Sequence, residues 1–197
     1  MTDYKIVLGI IATILGFVGY VPYFRDIFRG TTRPHVFSWF VWGLLTGIAF
    51  FAQIAKGGGA GAWVTGSSAV ICTVIAALAL FYGERQITKS DWFSFGGALL
   101  GLLFWQLTDD PLLAVIFVTI TDALAFAPTF RKAYDKPNEE TASTFVLSSI
   151  KFAIALAAFE SFNLTTALYP ISLILANGSF AAMLLIRRRK MVSATNG

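Results

Sequence analysis

Apolar residues fill this chain in long runs, broken by short polar stretches. Seven runs stand out, at 4–24, 36–54, 62–82, 92–107, 112–130, 142–159 and 164–186. Most approach the roughly 20 residues that an α-helix needs to cross a bilayer. The fourth is shorter and glycine-rich, with Gly96, Gly97 and Gly101. No run alternates with a period of two, so the pattern predicts helices throughout. The breaks "KGGGAG", "TDDP" and "ESFN" are too tight to let neighbouring runs lie other than antiparallel. The expected fold class is an all-α membrane protein of seven transmembrane helices.

Composition supports the lipid reading. Of 197 residues, 56% are hydrophobic and 13% charged, where soluble domains carry about 25% charge. Mean hydropathy is +0.71. The first run begins near Met1 without a basic leader or a small-residue cleavage site, so it reads as a retained helix. One cysteine, Cys72, excludes an intrachain disulfide, and a lone His35 builds no metal cluster. No metal and no cofactor are expected. The net charge of +4 is distributed as a topology signal rather than as a nucleic-acid footprint. Alternate loops and the C-terminus hold twelve of the fifteen Lys and Arg: Arg25, Arg29 and Arg33; Arg85 and Lys89; Arg131, Lys132 and Lys136; then 187–190. The other side has only Lys5 and Lys56, and Lys151 lies within a run. By the positive-inside rule the N-terminus is outside and the C-terminus cytoplasmic.

The stretch "GYVPYFRDIFRG" at 19–30 has an echo in "AFAPTFRKAYDK" at 125–136. An offset of 106 residues lays Pro22 on Pro128, Phe24 on Phe130, Arg25 on Arg131 and Ser38-Trp39 on Thr144-Phe145. Runs one to three then overlay runs five to seven in the same orientation, with run four left over as a linker. The expected organisation is a first three-helix repeat (1–83), a linker helix (84–110), a second repeat (111–190) and a short cytoplasmic tail (191–197). Parallel repeats of this kind are a transporter plan. Because proline lacks an N–H and disturbs the helix one turn back, Pro22 and Pro128 read as paired hinges, with the freed carbonyl near Val18 in the first. Tyr23, Thr129, Arg25 and Arg131 complete the candidate gate.

With this layout and these prolines the chain resembles the PQ-loop superfamily, which includes the SWEET sugar transporters, lysosomal amino-acid exporters and the KDEL receptors. Tyr23 and Thr129 stand where that family has its glutamines. The resemblance covers nearly the whole chain as architecture and implies alternating access around a central site. In proton-coupled members an acidic residue precedes the second proline, which implies a proton-carrying role for Asp122. In SWEETs an asparagine in the third helix of each half faces the substrate, which Asn177 matches in the second half.

Ionisable groups at membrane depth are costly, at about 2.5–3.5 kcal/mol on insertion scales, and point to function. Asp122, Lys151 and Asn177 fall at similar depth, all in the second repeat. Their counterparts Gly16, Leu45 and Ile71 are uncharged, and the first repeat supplies Trp39, Trp42 and Trp63 instead. One wall of a central cavity is then charged and the other aromatic. Asp122 and Lys151 either pair structurally or touch substrate or protons. No hydrolase, P-loop or zinc-protease motif is present, so no enzyme is expected. The expected function is transport of a small polar solute, a sugar, an amino acid or similar, with H+ as a candidate coupled ion. The alternatives are a receptor of KDEL-receptor type and a facilitator for vitamins or nucleosides. The bilayer is the expected partner, and a homo-oligomer stays open.

Overall fold

The computed structural model describes residues 3–107 and 110–195. Among them are seven α-helices and no strand. These are α1 (Asp3–Phe28), α2 (Val36–Ala55), α3 (Trp63–Tyr82), α4 (Lys89–Gln106), α5 (Pro111–Asp135), α6 (Ala142–Ala158) and α7 (Leu164–Thr195). Short 3-10 turns, Gly59–Ala62 and Pro137–Glu139, lead into α3 and α6. Each apolar run of the sequence is a helix. Part of the "TDDP" break, residues 108 and 109, lies outside the described residues, as do 1–2 and 196–197.

Five helical segments are long and apolar enough to cross a membrane: Asp3–Phe28, Val36–Ala55, Gly59–Tyr82, Leu112–Asp135 and Leu164–Met191. The helix Ala142–Ala158 is apolar but shorter. Large apolar side chains point outward along them. On α1 these are Ile10, Ile14, Phe17 and Val21, and on α7 they include Leu175 and Ile186. A water-soluble monomer rarely exposes contiguous apolar bands of this kind. The chain is therefore an α-helical integral membrane protein.

The helices run through both sequence-singled prolines, so α1 continues from Pro22 to Phe28 and α5 from Pro128 to Asp135. Pro170 is a third internal proline, near the start of α7. Asp110 caps α5 by accepting from the Leu112 amide at 2.8 Å, with Pro111 at the first helical position, where its missing N–H costs nothing.

Within the first half, α3 packs on both α1 and α2, whose backbones stay apart and meet only through side chains such as Tyr23 and Trp39. Within the second half, α7 packs on both α5 and α6 in the same way. The halves meet where α1 packs on α6 and α2 on α5. Two glycines set the first of these contacts: a Cβ at Gly19 would sit 3.0 Å from Leu147 Cβ, and one at Gly16 would sit 3.3 Å from Lys151 Cδ. The other helix, α4, lies against α5 and touches α2 lightly.

Candidate functional site

A central cavity opens between the halves. Its wall comes from α1, α2, α3, α5, α6 and α7, and among the described side chains none from α4 lines it. Four pairs of wall positions recur at the 106-residue offset: Tyr20 with Phe126, Trp39 with Phe145, Trp42 with Ser148, and Thr46 with Phe152. The free volume is about 30 Å³. On a measure in which one water needs about 10–15 Å³, that holds about two or three waters.

Of the sequence-predicted site residues, Asp122, Asn177, Trp39 and Trp42 line this cavity. Lys151 stands one hydrogen bond behind the wall: its Nζ donates to Ser68 Oγ at 2.8 Å, and Ser68 lines the cavity. Trp63, at the start of α3, is 38% exposed and is not part of the wall. Trp42 brings an indole N–H with no hydrogen-bond partner.

Asp122 and Lys151 do not form an ion pair with each other. Asp122 accepts from the Tyr169 hydroxyl at 3.2 Å. Lys151, 1% exposed, meets Ser68 and lies over the rings of Tyr20 and Phe152 at 4.8 and 4.9 Å. Asp122 thus lines the cavity and Lys151 lies one hydrogen bond behind its wall, each bonded to a neutral hydroxyl. An ammonium over ring faces gains a cation–π attraction, which eases the absence of an anion.

At the prolines the structure shows a matched pair of bonds between the halves. Ser38 Oγ donates to the Ala125 carbonyl at 2.5 Å, and Thr144 Oγ1 donates to the Gly19 carbonyl at 2.9 Å. Donors and acceptors are each related by the same offset of 106. The accepting carbonyls lie three residues before Pro128 and Pro22. The bond between halves is therefore one residue nearer the proline than Val18, where the sequence placed the freed carbonyl. Thr129 extends the second set by donating to Ser38 Oγ at 2.9 Å.

The arginine-bearing end is closed by ion pairs. Three cations at the end of α5 each meet an acid that is almost wholly buried. Arg131 pairs with Asp91 at 2.7 Å, Lys132 with Glu140 at 2.7 Å, and Lys136 with Glu84 at 3.0 Å. Lys132 Nζ also donates to the carbonyls of Arg33 and Glu139. Arg25 stays exposed beside Asp26, unlike its counterpart Arg131. Burial pushes the Glu140 carboxyl above its usual range although Lys132 pulls it back. Burial also pushes the Glu84 carboxyl up, but hydrogen bonds from the Gln86 amide and Lys136 outweigh it and leave it low. His35 is buried with Nε2 3.4 Å from Asp91, and burial holds its pKa below 6.5. The acids Glu84, Asp91 and Glu140 were missed in the sequence. Their one signal was their place among basic loops.

Tyr23 joins this end to the cavity. Trp39 Nε1 donates to the Tyr23 hydroxyl at 3.2 Å, and that hydroxyl donates to Glu140 Oε2 at 3.2 Å. The glycine-bearing end is closed by packing. A Cβ at Gly61 would lie 2.8 Å from the Phe159 ring, and Lys5 Nζ caps the Phe159 carbonyl at 2.7 Å. Gly57 and Gly59 take positive φ in the turn that lets this happen.

No family model, curated protein or solved structure matches the chain.

Proposed function

We propose that the protein is a transporter of a small polar solute that works by alternating access. In this reading α1–α3 and α5–α7 are two parallel three-helix repeats joined by α4, all seven helices cross the bilayer, and the basic end faces the cytoplasm. The observation that carries the reading is the central cavity. It lies between the halves, four pairs of its wall positions recur at a fixed offset, and every residue that lines it is buried. A void with room for about two or three waters cannot admit a solute unless the halves part at one end, and the matched bonds at Pro22 and Pro128 lie where such parting would flex the chain.

The solute class follows from the charges. Asp122 on one side and Lys151 on the other each lack a charged partner, so a zwitterion such as an amino acid satisfies both at once. The aromatic positions suit its apolar part, as in ligand pockets where few polar groups fix orientation. Asp122 is the group that would carry a coupled proton.

The experiment is a thermal-shift screen of amino acids, sugars and nucleosides on purified protein, followed by flux of each stabilising compound in proteoliposomes. The account expects a zwitterion to stabilise and to cross. Asp122→Asn should change the flux or its pH dependence, and normal, pH-insensitive flux in that variant removes the proton-carrier role. A compound that stabilises the protein and never crosses would favour a receptor.

A further inference from the structure

We propose that Tyr23 and Glu140 form the latch that seals the central cavity at the arginine-bearing end, with Trp39 setting the latch from inside the cavity. The inference rests on the alternating-access reading and adds a specific gate to it.

Three observations support the assignment. First, the chain Trp39–Tyr23–Glu140 spans the whole barrier. Trp39 lines the central cavity, while Glu140 lines a separate polar vestibule on the arginine-bearing end, beside Arg25, Thr32 and Arg188. Tyr23, fully buried, is bonded to both. Second, the chain crosses the boundary between the halves at one bond. Tyr23 belongs to α1, whereas Glu140 is held within the second half by Lys132 from α5, and its carbonyl accepts from Arg188 of α7. Parting the halves breaks the Tyr23 bond and leaves Glu140 paired. Third, the latch has no twin. At the 106-residue offset Tyr23 falls on Thr129 and Glu140 falls back on Pro34, which has no carboxylate. Other bonds cross the halves nearby: those from Thr141 to Asp26, between Thr32 and Thr141 and from Lys132 to the Arg33 carbonyl reach no cavity residue, and that from the cavity residue Thr144 to the Gly19 carbonyl does not reach the vestibule.

The chain carries its own reporter. Cys72, its one cysteine, lines the central cavity and is buried. A charged, membrane-impermeant methanethiosulfonate applied to inside-out or right-side-out vesicles reads whether the cavity is open to either face. Tyr23→Phe deletes the hydroxyl alone. It should speed Cys72 modification from the arginine-bearing face by about tenfold, the scale of one hydrogen bond to a charged group. The rate from the opposite face should stay as in the native chain, and Thr13→Val, whose hydroxyl bonds only the Gly9 carbonyl within α1, should leave both rates unchanged. An unchanged rate in Tyr23→Phe, with the unfolding temperature preserved, overturns the latch alone. So does acceleration from both faces equally, which means general loosening. Rapid modification of the native chain from both faces at once indicates an open pore and removes the alternating-access reading itself.

Discussion

Gly16 is the counterpart of Asp122 in the first half, and it faces Lys151. Changing Gly16 to Asp places a carboxylate where the amine now has none. A Cβ there would lie 3.7 Å from Lys151 Nζ and 3.3 Å from Cδ, so the lysine must give by a few tenths of an ångström. At 4 Å and an effective dielectric of about 20, the attraction is about 4 kcal/mol. Burying the new carboxylate costs several kcal/mol, so the two nearly cancel. The unfolding temperature should therefore move by only a few degrees. Transport should not be spared. If a solute carboxylate uses Lys151, losing that charge-assisted bond costs about 1.5–3 kcal/mol, or about 10- to 150-fold in apparent affinity. The assay is concentration-dependent uptake into proteoliposomes of whichever solute the thermal screen identifies, with Gly16→Asn as the uncharged control of similar size. Wild-type affinity in Gly16→Asp would refute a solute contact at Lys151. Equal losses in both variants would assign the effect to bulk instead of charge.

Removing the hydroxyls that join the halves should cost unequal amounts. Thr144→Val loses one bond, about 0.5–1.5 kcal/mol, while Ser38→Ala also strands the Thr129 hydroxyl and should cost about 1–3 kcal/mol; chemical unfolding in detergent reads both. Pro22→Ala should insert normally and slow transport in the flux assay, since it restores the missing N–H at the hinge; unchanged kinetics return the stretch to a plain helix end. The buried His35 has a depressed pKa, so the unfolded chain takes up its proton first as pH falls below 6.5. Stability should drop through that window by up to about 1.4 kcal/mol per pH unit. In His35→Asn this part of the drop should vanish from unfolding temperatures measured between pH 7.5 and 5.5.

Helix positions were legible in the sequence because lipid imposes a continuous apolar run; α2, α3 and α6 match their runs to within one residue, and α1, α5 and α7 extend beyond theirs at the arginine-bearing end. Glycine marks several close contacts between helices: Gly16, Gly19 and Gly43 each approach a neighbouring helix. Depth alone could not say whether Asp122 and Lys151 pair, because azimuth decides it. Asp122 turns toward Tyr169 on α7, and Lys151 turns toward Ser68 on α3. Trp63 shows the same limit: its counterpart Tyr169 is buried at the cavity, whereas Trp63 is half-exposed. The acids Glu84, Asp91 and Glu140 read as solvated loop residues. They are buried only because the loop after α3, the first turn of α4 and the turn after α5 close around the cations at the end of α5.

Solute counterflow tests the central claim most directly. Proteoliposomes loaded with the unlabelled zwitterion that best stabilises the protein are diluted into a trace of the labelled compound. Alternating access predicts a transient accumulation of label well above the level in empty vesicles, lost when the halves cannot part. Stabilisation by that compound with no uptake in either set of vesicles would contradict transport, and uptake unaffected by the internal solute would contradict alternating access.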